Sequence, residues 1–454
     1  MKQQIVSAKY IMPFPGKVLK NHYITIVNGK ITGIHKFHTI KTTGTQSEFI
    51  SLGKSVLMPG FVNAHVHIEL CSDNRPKDVM GDYFDTLDRI RQQKNFNAEN
   101  PFARKHNIIK AINALIKGGC TCVGNFTSSS ETAELILKNH LSGVEFVEAI
   151  NRDENKSEEI FFKSEEIRKE IIQLSQNAIF NNFSKAIPVV LHAGITPSTL
   201  YNVNSRFLEM ILTLFTRENV RFCTHIAEHP DENRLFQLGD GSVYDYFLKS
   251  NNIEEYLFPP AASVVQHFSS SIEELELSEP AAKRFREKPT DSSTNTPTLI
   301  HANFVDIADV RTISELKASV VHCPRTYEYY KHNYNKKYPF KMILDNAIPL
   351  ALGTDSTLTN SRLSMLDEIR LLAKSNPELS VIEILRMATV NGAKALNLTE
   401  YVGILAEGRP ADIIAVEIPD DTAPEYVPTE IVRGTGDVKM TMLKGEIAYI
   451  KPKN

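Results

Sequence analysis

The chain predicts an α/β fold: a (β/α)8 barrel of the TIM type carrying a small β-sandwich formed by both termini. Three observations lead there. Apolar, β-type runs alternate eight times with amphipathic helical stretches, both ends of the chain read as strand, turn, strand, and reactive side chains gather where the predicted strands stop. Residues 1–56 and 400–454 are expected to form the discontinuous sandwich and 57–399 the barrel, with an insertion around 240–296.

Taken in order, residues 5–11 and 23–34 read as short strands, and Asn28-Gly29 between YITIV and KITGI signals a hairpin. The far end answers with GRPADIIAVE around Asp412 and VKMTMLKGEIAYI around Gly445. Between them the predicted barrel strands are Leu57–His67, Cys120–Asn125, Val144–Ala149, Ile187–Ala193, Val220–Ala227, Thr298–Ala302, Ser319–His322 and Ile348–Thr354. Helical periodicity marks Arg104–Lys117, Glu131–Asn139, Glu158–Asn177, Arg206–Thr216, Ile307–Lys317 and Leu363–Lys374. The long connection after the fifth strand splits in two: Tyr244–Phe258 reads as a helix bordering the site, and KRFREKPTDSSTNTPT as a polar, mobile excursion.

With 454 residues, 42% of them hydrophobic and 23% charged, the chain has ample material for a folded core. A formal charge of −3 gives no electrostatic case for nucleic acid or an anionic membrane, which leaves a small-molecule substrate. No run of eighteen apolar residues occurs and the start lacks a signal-peptide core, so a cytoplasmic location is expected. Five scattered cysteines (Cys71, Cys120, Cys122, Cys223, Cys323) suit a reducing compartment.

The chemistry centres on VLMPGFVNAHVHIEL. A strand repeats every two residues, so His65 and His67 emerge on one face and can grip one metal ion. Joined by His225 and Asp355, they make a three-imidazole, one-carboxylate set suited to a single Zn²⁺ or Fe²⁺ with one position left open. Such a cation brings the pKa of water from its bulk value to roughly 7. Glu228, three residues beyond His225 in THIAEH, is the expected general acid/base, in preference to a surface carboxylate at a helix start. His301 and Asp355 are placed to hydrogen-bond the attacking water. His192, taken as the end of the fourth strand, together with His322 and Arg325 in VVHCPRTYEYY, are the expected substrate contacts. His229 is expected to point away, and His35, His38, His106, His140, His267 and His332 carry no spacing signal. No GxxxxGK[ST], GxGxxG or GxSxG motif occurs.

These residues resemble the amidohydrolase superfamily, in its cytosine deaminase, guanine deaminase and chlorohydrolase-like branch. PGFVNAHVH, THIAEH, LIHANFVD, VVHCPRTYEYY, LGTDST and GRPADIIAVE run in the family's order from residue 58 to residue 416. The nearest likeness is to enzymes that deaminate adenosine-like compounds, aminodeoxyfutalosine deaminases among them. The resemblance implies one divalent metal, zinc ahead of iron, held by His65, His67, His225 and Asp355. It also implies Glu228 as proton shuttle, His301 orienting the water, and a homo-oligomer, most simply a dimer. The implied reaction is hydrolytic release of ammonia from an aminated purine nucleoside or related heterocycle. The alternatives are a chlorohydrolase, a cyclic amide hydrolase, or a guanine or cytosine deaminase on the same scaffold, and more remotely an inert binding protein. Departures from the family pattern, including Gly194-Ile195 after His192, Ser356 after Asp355 and the lack of any Trp, lie on the pocket side.

Overall fold

Seven short strands open the described chain: β1 (Gln3–Ser7), β2 (Tyr10–Phe14), β3 (Lys17–Lys20), β4 (His22–Val27), β5 (Lys30–Lys36), β6 (Ser47–Ser51) and β7 (Ser55–Pro59). The structure, a computed structural model, describes residues 3–37, 47–72, 80–181, 189–251, 260–277, 295–331 and 336–452. The hairpin expected at Asn28-Gly29 forms, with φ of 50° and 72° and Val27 facing Lys30 across it. Two successive left-handed residues match the twist of the flanking strands, which is why this dipeptide turns the chain.

Eight parallel strands follow, each beside its neighbour in the chain: β8 (Phe61–Val66), β9 (Cys120–Thr127), β10 (Ser142–Glu148), β11 (Leu191–Thr196), β12 (Arg221–Ile226), β13 (Thr298–His301), β14 (Ser319–His322) and β15 (Leu350–Leu352). Closure runs through the backbone of the first and last. The Thr354 and Asp355 N–H groups both donate to His65 O, at 3.0 and 3.1 Å, and Val66 bridges Asp355 in parallel register. The fold is the expected α/β barrel with β-sheets built from the termini.

The strand expected over Leu57–His67 proves to be two. β7 joins β2 and β16 (Ile413–Glu417) in a six-stranded sheet with β3, β17 (Val438–Leu443) and β18 (Glu446–Ile450), whereas β8 enters the barrel. The chain changes sheets at Gly60, where a β-carbon would lie 2.1 Å from the Thr121 side chain. The six-stranded sheet faces the four-stranded sheet β5-β4-β1-β6 over Val6, Ile24, Ile26, Leu57, Ile413, Met440 and Met442. Val56 and Met58, on the alternate face of β7, join the main core instead.

The fourth barrel strand also differs from expectation. It starts at Leu191, Ile187 and Pro188 lying outside the described residues, and continues to Thr196, which pairs with Glu148. Gly194 resembles a strand stop, yet it sits mid-strand because a β-carbon there would lie 2.6 Å from the Phe146 ring. In the long connection, Ser242–Asn251 forms the expected helix, residues 252–259 lying outside the described residues. Most of KRFREKPTDSSTNTPT, through residue 294, lies outside them too. A helix over Val264–Leu277, not foreseen, buries Val264, Val265 and Phe268 completely between the helices Ser205–Glu218 and Ile307–Glu315. It supplies the layer that the fifth barrel strand needs. Among the described residues no helix is long and apolar enough to cross a membrane.

A buried ion pair within the six-stranded sheet sends one hydrogen bond to the foot of the barrel. The Lys444 ammonium lies 2.8 Å from Asp412 Oδ2, both side chains 5% exposed, and also donates to Ser142 Oγ at the start of β10. Removing one partner of such a pair leaves an uncompensated charge. Lys444→Ala is therefore expected to lower the unfolding free energy by about 3–5 kcal/mol in urea titration. A variant as stable as the parent would show that the pair and its bond to Ser142 do not stabilise the fold.

Candidate active site

At the C-terminal mouth of the barrel the four expected metal ligands converge. His65 lies on β8 and His67 directly after it, their ring centroids 4.8 Å apart as the two-residue period requires. His225 Nε2 lies 3.2 Å from His65 Nε2 and 3.4 Å from His67 Nε2, and Asp355 Oδ1 lies 4.0 Å from His67 Nε2. His225 Nδ1 donates to Ser198 O at 2.7 Å, which aims its other nitrogen inward.

Burial keeps protons off these rings. It lowers His67 to about 3, with His225 adding to the effect, and His225 to about 4 against the pull of the Ser198 bond. His65 falls well below the usual imidazole value, through burial and then the neighbouring histidines. Neutral imidazoles whose lone pairs face one another cannot satisfy each other. Tetrahedral ligation at about 2.0–2.1 Å per bond would set nitrogen ligands roughly 3.3–3.4 Å apart, so the 3.2 and 3.4 Å spacings fit one small divalent cation.

Glu228 and His301 stand beside that cluster. His301 Nε2 lies 3.4 Å from Glu228 Oε1, and Glu228, His301 and Asp355 group their ligand atoms within 4.8 Å. Burial, then the charges of Asp355 and Glu232, raises the Glu228 carboxyl well above the usual range. The Glu228 backbone is pinned at both ends: its N–H donates to Glu232 Oε1 at 2.9 Å and its carbonyl accepts from Asn303 Nδ2 at 3.1 Å. His229 turns away, as expected, and caps the helix Pro230–Leu238.

The strand ends that carry these groups adopt left-handed backbone at residues other than glycine. Ser198, Ala227, His301, Ala302 and Asp355 have φ of 65°, 48°, 72°, 50° and 55°. Each such residue costs roughly 1–2 kcal/mol, held in place by the surrounding ladder.

A cavity of about 740 Å³ opens above the cluster, with His67, His225, Glu228, His301 and Asp355 on its floor. One wall was not foreseen: the helix Tyr83–Glu99 lines the cavity with Tyr83, Thr86, Leu87, Ile90, Arg91 and Lys94. Lys94 Nζ lies 2.7 Å from Glu148 Oε2 at the end of β10. Burial alone would raise Glu148, but Lys94 and then His67 outweigh it and bring its carboxyl to about 2. Glu148 was findable, being a carboxylate at a strand end. The helix was not, because its inward face is too polar to show an apolar stripe.

The three expected substrate contacts do not reach this cavity. Since β11 runs on to Thr196, His192 is its second residue and sits at the opposite rim, near Arg221 and 6.5 Å from the Tyr401 ring. His322 does end β14, but its ring packs 4.0 Å from Tyr338 and 5.2 Å from Phe340 and borders a separate cavity of about 620 Å³. Arg325 turns toward the buried Glu368, its Nε 3.3 Å from Oε1. That carboxylate also accepts from Asn360 at 2.8 Å, so the arginine belongs to a structural cluster. From the EYY run it is Tyr330 that lines the main cavity.

The Amidohydrolase family profile matches residues 56–448. The chain belongs to the amidohydrolase family. This amidohydrolase is 35% identical over 167 residues to the 5-methylthioadenosine/S-adenosylhomocysteine deaminase of Pyrococcus furiosus. That alignment takes in 33% of this chain and 37% of the relative, so the matched part spans little more than a third of the relative's length. It is 24% identical over 453 residues to the protein of the same name from Caldicellulosiruptor saccharolyticus, covering 96% of this chain and 90% of the other. Helicobacter pylori aminofutalosine deaminase, solved in complex with Methylthio-coformycin, superposes with a TM-score of 0.75 at 19% identity, covering 98% and 99% of the two chains. That likeness shows the fold.

The family uses a divalent metal, and the grouped imidazoles and Asp355 would set the pH dependence of holding one there. The imidazoles, lowered to about 3 and about 4, have no proton to lose at neutral pH, whereas burial raises Asp355 to about 6, against the hydrogen bonds it accepts from Ser356 N and Thr326. Protons should therefore compete with the metal first at Asp355. Zinc affinity measured by chelator competition is expected to be flat above pH about 6, to fall by one proton's slope below it, and to steepen only near pH 4. A multi-proton slope already at pH 6.5 would contradict this.

Proposed function

We propose that this amidohydrolase is a metal-dependent hydrolytic deaminase that releases ammonia from an aminated purine nucleoside or closely related heterocycle. The observation that carries the reading is the Glu228–His301 pair, 3.4 Å apart, set against the imidazole and Asp355 cluster on the cavity floor. A carboxyl with a raised pKa beside such a cluster supports an acid/base role for Glu228 on a water activated there. The three similar proteins named above, all deaminases, support the reaction and the nucleoside class.

In this reading His65, His67, His225 and Asp355 hold one divalent cation, zinc ahead of iron because a set of three nitrogens and one carboxylate suits it, with two of the nitrogen spacings already tetrahedral. When bound, the cation supplies the Lewis acidity that brings the pKa of water to roughly 7. His301 and Asp355 orient the attacking water toward the ring carbon that bears the amino group. Glu228 takes the water's first proton and passes it to the adjacent ring nitrogen, then takes the second from the newly bonded hydroxyl and gives it to the amino group, which leaves as ammonia when the carbon–nitrogen bond breaks. Leu87, Ile90 and Phe247 offer apolar walls in a cavity of about 740 Å³, the size of space that small-molecule ligands occupy. A cytoplasmic location agrees with five buried, free cysteines, and a homodimer is carried over from the family resemblance.

The test is ammonia release from a panel of 5-methylthioadenosine, S-adenosylhomocysteine, aminodeoxyfutalosine, guanine and cytosine. At least one nucleoside should turn over, and silence across the panel would end the deaminase reading. Glu228→Gln should fold and keep its metal while losing at least about 10²-fold in kcat.

A further inference from the structure

The three imidazoles of the cluster are not held alike. His65 lies within β8, where its carbonyl accepts from the Thr354 and Asp355 N–H groups, and the His225 ring is aimed by its bond to Ser198 O. His67 has neither support. It follows the last residue of β8, with φ of −112° and ψ of 82°, and among the described residues its Nδ1 makes no hydrogen bond. The direction of its ring is therefore left to the backbone and to packing against Phe126, whose ring centroid lies 5.0 Å away.

Two side chains anchor the backbone that follows. The Ile68 N–H donates to Asn125 Oδ1 at 2.9 Å, and Asn125 Nδ2 donates in turn to the buried Glu145 at 3.0 Å, which fixes the amide's orientation. The next residue, Glu69, is buried and reaches into a socket at the end of β9. Its Oε1 lies 2.9, 2.9 and 3.0 Å from the hydroxyls of Thr127, Ser129 and Thr132, and its Oε2 accepts from the Ser128 hydroxyl and N–H at 2.6 and 3.2 Å. Closing the turn does not require this. The short helix Ile68–Leu70 already closes through Leu70 N–H to His67 O at 3.1 Å and Cys71 N–H to Ile68 O at 3.2 Å.

We infer that Glu69 is a positioning residue for the metal centre: seated in the socket of Thr127, Ser128, Ser129 and Thr132, it locks the backbone that carries His67 and so aims that ring at the cation. Asn125 is the second anchor. The inference rests on the reading of His67 as a ligand. Nε2 lies at the far end of the side chain, so a small turn of the backbone carries it away from a bond only about 2.0–2.1 Å long.

Zinc affinity of the full chain, measured by chelator competition, tests this. Glu69→Ala is expected to weaken it about 10- to 100-fold, the usual effect of removing a group that orients a ligand, and to shift the visible bands of the cobalt(II)-loaded protein. Ser128→Ala combined with Ser129→Ala opens the socket from the other side. It should weaken zinc binding in the same direction, and it carries the comparison if Glu69→Ala does not fold. In a His67→Ala background neither change should weaken zinc binding further, because the ring they aim is gone. Zinc affinity and cobalt bands unchanged by opening the socket, or losses that repeat in full in the His67→Ala background, would overturn the positioning role. A parent chain that binds no zinc, or a His67→Ala variant that binds it as tightly as the parent, would instead overturn the reading of His67 as a ligand.

Discussion

The seam where the last barrel strand returns to the first is the constraint on which this site depends. His65 O accepts from both Thr354 and Asp355 N–H, and Asn63 exchanges two side-chain bonds with Thr354, 291 positions away, at 2.7 and 3.0 Å. Closing the barrel and bringing Asp355 to His65 and His67 are thus one event. The position of the carboxylate is inherited from backbone hydrogen bonds, which are stiff, and not from loop contacts, which are soft. Left-handed residues at Ser198, Ala227, His301, Ala302 and Asp355 are tolerated because the ladder on either side over-determines them.

Burial then acts on every titratable group at this mouth in one direction, against charge. Imidazoles lose their protons, and the carboxyls of Glu228 and Asp355 hold theirs to higher pH than usual, Asp355 to about 6, which leaves a floor of lone pairs in an apolar barrel. Such a floor is unfavourable by itself and becomes favourable when a cation arrives. Glu148 escapes the trend because Lys94 reaches over from the helix Tyr83–Glu99 to pair with it. That helix accordingly does two things: it walls the cavity, and it supplies the charge that acts on Glu148.

Strand periodicity and strand-end chemistry were legible because they are local. The two-residue repeat set His65 beside His67, the Asn28-Gly29 turn closed as its left-handed preference demands, and His225, His301 and Asp355 lay where apolar runs ended. The same rule misplaced His192, since Gly194 reads as a stop but serves as clearance for the Phe146 ring. It also could not see that Arg325 is drawn to Glu368 or that His322 packs on Tyr338, because those partners come from elsewhere in the chain.

By itself the sequence determined the class of fold, the alternation of its layers and the donor set of the site, because each of these follows from residue type and spacing within a few positions. Only the tertiary structure decided which side chains face the cavity, that the Tyr83 and Tyr201 hydroxyls meet, and that Lys94 neutralises Glu148. Those pairings join residues from different strands and helices, and neither partner carries a local signal of the other.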